Sequence, residues 1–155
     1  MNDVTVGKVL NSDLTMAYIA GFLDGDGAIS AVIEKHVEKK FGFRVRVSLD
    51  FYQHKQHIVL LKYIRKVFGE GSLSRSIRDT HKLSLKNQTS LKSILPMLLP
   101  FSRIKRRQIQ IALRILNTTI GSKSDLLKVA RLADKLSSYN VRSKSRRKNF
   151  STIIV

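Results

Sequence analysis

A chain of 155 residues, 43% of them hydrophobic, is long enough to bury a real core within one compact domain. Its 29 Lys and Arg against 11 Asp and Glu give a formal net charge of +18, which favours a polyanionic partner, above all nucleic acid, over a merely soluble or ribosomal-type basic protein. Cysteine is absent, which excludes disulfides and thiolate metal sites, and no apolar stretch is long enough to span a membrane. The first twelve residues carry neither a signal-peptide core nor an Arg-rich transit pattern. The expectation is a protein that is not secreted and works inside the cell: cytoplasmic in a prokaryote, organellar in a eukaryote. His36, His54, His57 and His81 are scattered, and no third ligand stands near His54 and His57 to make a zinc site.

Taken in order, residues 1–12 form an N-terminal segment, 13–141 the folded domain and 142–155 a basic C-terminal tail. Asn11, Ser12 and Asp13 are N-cap residues, so a first helix is expected over Leu14–Leu23, with Met16, Ile19, Ala20 and Leu23 as its apolar stripe. Gly25 and Gly27 supply the permissive dihedrals to stop it, which places Asp26 at a helix C-terminus. That is an unfavourable position for an anion unless a cation joins it. Ile29, Ala31 and Ile33 then alternate with Ser30, Val32 and Glu34 as a strand would. His36 to Lys40 is the hairpin tip, and Phe43, Val45, Val47, Leu49 and Phe51 oppose Arg44, Arg46, Ser48 and Asp50 in a second strand. A helical period returns from Gln53 to Phe68 and ends at Gly69-Glu70-Gly71. Two shorter strands follow, Ser72–Arg78 and Lys82–Lys86, and then three helices: Ser90–Pro100, Arg103–Asn117 and one beginning at Ser124. The fold class is α+β, in the order αββαββα with closing helices, built on an antiparallel four-stranded sheet with its helices on one face. The uncovered face carries the polar residues.

The stretch Ile19-Ala20-Gly21-Phe22-Leu23-Asp24-Gly25-Asp26-Gly27 resembles the LAGLIDADG motif of homing endonucleases. Ile stands for the first Leu, Phe-Leu for Leu-Ile and Gly for the second Ala. The element order of the resemblance extends over roughly residues 13–145, and its saddle-shaped sheet is expected here too. The resemblance implies that Asp26 holds divalent metal over DNA, helped by the Gly25 carbonyl, while Asp24 is a structural, capping carboxylate. Mg²⁺ is the expected metal, with Mn²⁺ able to substitute. It also implies catalytic roles for Gln53, orienting water, and for Lys105, stabilising charge near the scissile phosphate. Arg103, Arg106 and Arg107 flank Lys105 as competing candidates, and Gln53 has the plainer reading of a cap.

Only one copy of the motif is present, so the resemblance implies a homodimer whose motif helices meet through Tyr18, Ile19, Ala20, Gly21 and Phe22. Recognition of DNA then falls to Ser30, Val32, Glu34, His36, Arg44, Arg46, Ser48 and Asp50 on the long hairpin. Ser72, Ser74, Ser76, Arg78, Lys82 and Ser84 follow on the short one, and Arg142, Lys144, Arg146 and Arg147 in the tail. Arg44 and Arg46 suit guanine. Glu34 and Asp50 can accept from cytosine or serve as charge partners for neighbouring Arg. The activity implied is an intron-encoded, site-specific nuclease cutting both strands of a long, pseudo-palindromic DNA target across the minor groove. The alternative is a non-cleaving binder on the same fold, an intron RNA maturase or a repressor.

Overall fold

The computed structural model describes residues 3–140 and 148–154, with side chains from Ser12 onward. Helix α1 (Asp3–Asp26) leads directly into the hairpin β1 (Gly27–Lys35) and β2 (Phe43–His54). A 3-10 turn (Lys55–His57) and helix α2 (Ile58–Phe68) connect to a second hairpin, β3 (Ser72–Arg75) and β4 (Thr80–Leu85). Helices α3 (Gln88–Leu98), α4 (Arg106–Leu116), α5 (Lys123–Asn140) and α6 (Phe150–Ile154) complete the chain. The strands form one antiparallel sheet in the order β1-β2-β4-β3.

The period of two decides which face of the sheet is covered. Ile29, Ala31, Ile33, Val47, Leu49, Phe51, Leu83 and Leu85 are all buried, and they face the core made by the helices. Alternate residues, among them Ser30, Glu34, Arg44, Arg46 and Ser48, stay partly open on the other face. Met16, Ile19, Ala20 and Leu23 put α1 into the same core, and Leu126, Val129, Ala130, Ala133 and Leu136 do so for α5. The expected α+β arrangement, with helices on one face of a four-stranded antiparallel sheet, is the one formed. Among the described residues, no helix is long and apolar enough to cross a membrane.

Several boundaries differ from the sequence reading. Helix α1 begins at Asp3, so the supposed cap residues Asn11, Ser12 and Asp13 lie inside it. It also runs through Gly25 to Asp26, and neither Gly25 nor Gly27 has positive φ. Gly27 is required for space instead. A Cβ there would stand 2.5 Å from a Leu23 methyl and 2.9 Å from the Leu23 Cα and carbonyl oxygen, so the strand leaves the helix along a path only glycine can take. Strand β2 continues through Gln53 to His54, where a helix was expected to begin, and α4 begins only at Arg106. The second hairpin turns at Ser76–Asp79, closed by Ser76 N–H donating to the Thr80 carbonyl at 2.8 Å, with Arg78 in the left-handed region at φ 54°. At the C-terminal end Phe150 and Ile154 are buried against α5, and Asp134 accepts hydrogen bonds from the Phe150 and Ser151 N–H groups.

Candidate active site and nucleic-acid face

The two carboxylates of the motif end in different circumstances. Asp24 is drawn inward, accepting from the Ser102 hydroxyl at 2.6 Å and from the backbone N–H groups of Arg103 (2.7 Å), Lys105 (3.0 Å) and Ile104 (3.2 Å). Those N–H groups precede α4, which has no side-chain cap at its own N-cap position, Lys105. Asp24 therefore acts as a cap supplied from another element, where an anion is favourable. Burial pushes its carboxyl up, but the Ser102 hydroxyl and the backbone donors outweigh burial and hold it below its ordinary value. The capping role implied for Asp24 is the one observed.

Asp26 is exposed at the last residue of α1 and has no hydrogen bond or ion pair among the described residues. The neighbouring Gly25 carbonyl has no residue four further along within the helix to donate to it, and it accepts no hydrogen bond among the described residues. A free carboxylate, an orphan carbonyl and the negative end of a helix dipole together make a donor set for a hard divalent cation. The residues fit the metal that the motif implies. Among the described residues no cluster of three or more His, Asp or Glu side chains forms a closed cage, and Mg²⁺ commonly draws its remaining ligands from water and substrate phosphates.

The Asp24 hydrogen bonds fasten the Ser102–Lys105 loop to the end of α1, so the Lys105 backbone N–H lies on Asp24, two residues before Asp26. Gln53 reaches the same end of the sheet, because Gly27 pairs with Phe51 and Gln53 lies two residues beyond. By strand alternation it shares the helix side with Phe51, and its Oε1 accepts from the His54 N–H at 2.8 Å. Gln53 is thus a strand residue with a satisfied carbonyl oxygen, not a residue following the strand. Tyr52 is the residue the sequence reading missed. It stands on the uncovered face between Asp50 and His54, opposite Lys82, and burial together with the Asp50 charge holds its hydroxyl above the usual value. Carrying the alternation of Ser48 and Asp50 two residues further would have found it.

The uncovered face is more internally paired than its sequence suggested. Arg44 and Arg46 both bond Glu34, the latter at 3.1 Å, and the Arg44 guanidinium, followed by smaller charge effects, holds Glu34 below its ordinary value. Ser30 and Ser48 share a hydrogen bond of 2.8 Å across the strands. Asp50 and Ser84 are buried, with the Ser84 hydroxyl donating to Asp50 at 2.5 Å, so they are not free to read bases as expected. Ser72 and Ser74 stay exposed beside Ser84 and Lys82, and Val32 is 40% exposed. His36, Ser76 and Arg78 lie in turns and not on the strand face: the His36 N–H closes the first hairpin onto the Gly42 carbonyl at 2.8 Å. Arg142, Lys144, Arg146 and Arg147 lie outside the described residues.

The helix surface expected to carry the dimer also needs correction. Ile19 and Ala20 are fully buried in the chain's own core and are unavailable to another molecule. Phe22 is half-buried and stacks on Phe51 with ring centroids 6.0 Å apart. The outward stripe of α1 is Leu14, Tyr18, Gly21 and Gly25, at spacings of four, three and four, and a Cβ at Gly21 or Gly25 would meet nothing.

Residues 19–113 match the LAGLIDADG endonuclease family. The chain belongs to that family. It is 33% identical over 128 residues to DNA endonuclease I-CvuI of Chlorella vulgaris, covering 81% of this chain and 80% of that one. It is 28% identical over 144 residues to DNA endonuclease I-CreI of Chlamydomonas reinhardtii, covering 89% and 85%. The fold superposes on the crystal structure of I-CvuI in complex with its target in the presence of Ca with a TM-score of 0.83, over 94% of this chain and 92% of that one at 29% identity. The LAGLIDADG helix is therefore α1, and the sheet beside its C-terminus is the family's sheet.

Proposed function

We propose that this protein is a homing endonuclease that cuts double-stranded DNA site-specifically, as a homodimer and with Mg²⁺, for which Mn²⁺ can substitute. The observation that carries this reading is the division of labour between the two motif carboxylates. Asp24 is consumed in fastening the Lys105 loop, and Asp26, two residues on, has no partner among the described residues. A fold that needed only a binding surface has no use for an unsatisfied anion at the negative end of a helix, where it costs stability. The names of the relatives, DNA endonucleases, support the same activity.

Asp26 and the Gly25 carbonyl would hold the metal, with a second Asp26 arriving from the other protomer across the outward stripe of α1. A bound divalent metal supplies charge neutralisation at the scissile phosphate and lowers the pKa of a bound water. Lys105, on its fastened loop, adds positive charge beside that phosphate. Gln53, whose amide nitrogen is free to donate, orients water at the end of the sheet. The open polar face contacts the DNA, with two half-sites related by the protein's twofold axis and the cut falling across the minor groove. The reaction belongs inside the cell, in whichever compartment holds the target DNA.

The test uses intron-less DNA spanning the host gene's insertion site, incubated with wild type and Asp26→Asn, each with Mg²⁺ or chelator. The expected result is a Mg²⁺-dependent double-strand cut by wild type, and binding without cutting by the variant. Cutting by Asp26→Asn would overturn the metal assignment. Tight binding by wild type without any cut would move the protein to a maturase or repressor on the same fold.

A further inference from the structure

A second charged surface lies on the helical side. Helices α4 and α5 pack on each other and on the covered face of β1, so their outer flanks point away from the open face of the sheet. Arg107 and Arg114 stand seven residues apart on α4, and Lys128, Arg131 and Lys135 follow at spacings of three and four on α5. All five are exposed. They line two adjoining depressions of about 400 and 430 Å³ that share Lys135. No carboxylate lines either depression, and none of the five makes an ion pair among the described residues. The acids of α5 are spent elsewhere: Asp125 accepts from the Gly121 and Ser122 N–H groups, and Asp134 from Phe150 and Ser151. Tyr139, 40% exposed, closes one end of the furrow, with its hydroxyl 3.5 Å from the Arg107 guanidinium.

We propose that this furrow is a second nucleic-acid site, gripping a phosphodiester backbone separate from the DNA on the sheet. Seven residues of helix rise about 10 Å, so each helix sets its outer cations some three base-pair steps apart. Two cationic rails with a depression between them suit a backbone laid along the furrow. The presence of Arg, whose planar fork binds phosphate bidentately, favours this over a point-charge contact. The exposed Tyr139 ring offers a stacking platform for a base. An anionic membrane is less well matched, because the aliphatic side chains lining the depressions, Ile111, Leu127 and Leu132, lie buried or half-buried between the cations.

The experiment compares wild type, the triple variant Arg114→Gln/Arg131→Gln/Lys135→Gln, and the sheet-face variant Arg46→Gln/Lys82→Gln. Each is titrated with a labelled 20-base-pair RNA duplex and a DNA duplex of arbitrary sequence, over a range of salt. The furrow predicts that the triple variant binds more weakly than wild type, with its salt slope reduced by about two to three for loss of three phosphate contacts. It predicts that combining both sets loses more than either alone. Loss confined to RNA identifies the natural occupant as RNA, and equal loss on both duplexes identifies the backbone alone. A triple variant whose affinity and salt slope match wild type on both duplexes would overturn the proposal. Because all three positions are exposed, an unchanged thermal melt and unchanged cutting of the target DNA serve as controls for folding and for the sheet-side site.

Discussion

Asp24 and Gly27 show how single positions in the motif are constrained for reasons unrelated to cleavage. Asp24 is held below its ordinary value of 3.8, so the stability it contributes is fully present above that value and is lost as pH falls through the lowered one. Asp24→Asn keeps one acceptor but removes the charge. It is expected to cost about 1–2 kcal/mol at neutral pH, as loss of a cap does, and to flatten the acid limb of the stability curve. Urea melts from neutral pH down to about pH 3 test this; an acid limb identical to wild type would remove the capping account. Gly27→Ala pushes a methyl into the Leu23 backbone, 2.9 Å away, where no side-chain rotation brings relief. A destabilisation of about 1–3 kcal/mol is expected. Thermal denaturation measures it, and a variant as stable as wild type would show that the helix–strand junction can shift. The Asp24 cap was legible only through the family resemblance. Its partners lie about eighty residues along the chain, beyond any local pattern.

Among the elements, those with strong periodicity were read correctly and their ends were not. The alternation from Phe43 to Phe51 marks β2 plainly, but Tyr52, Gln53 and His54 continue the strand without an apolar residue to announce it. For that reason Tyr52 is hidden from a pattern-based reading, and Gln53 reads as the start of a helix. Asn11, Ser12 and Asp13 have the chemistry of a cap, yet helix continues through them, because propensity at a cap is weak against a helix already extended on both sides. The pairing of Asp50 with Ser84 depends on β2 meeting β4, a non-local register that no single strand records. Helix α1 carries its own prediction. Gly21 faces outward with open space around it, so Gly21→Leu is expected to leave the monomer folded and to stabilise the isolated helix by roughly 0.5–1 kcal/mol. The same bulk would stop two such helices from meeting. Sedimentation should give the monomer mass with a raised or unchanged melting temperature, and a persistent dimer would overturn the α1 interface.

For the whole molecule, charge is the dominant quantity. The three ion pairs among the described residues, at Glu34 and Asp79, leave the net charge unchanged, so the full +18 is there to meet a polyanion. DNA affinity is therefore expected to fall linearly in log–log form with salt, with a slope of about 0.9 per phosphate contacted. A flat response would mean that the positive charge serves solubility alone. The architecture also separates the open sheet face from the motif carboxylates. The polar residues of the open face alternate along strands, whereas Asp26 and Lys105 lie at the end of α1 and in the loop before α4. Exchange of Ser72, Ser74 or Lys82 leaves both untouched.

The tie between Asp24 and the Ser102–Lys105 loop has a consequence in time. It joins residues 78 or more apart, so it cannot form until the chain has been made well past the second hairpin. A nascent polypeptide halted before Lys105 would carry both motif carboxylates but lack the loop that Asp24 fastens and the helices α4 and α5 that pack on β1. The motif helix therefore gains its fastened loop only after residue 105 of 155 has been made.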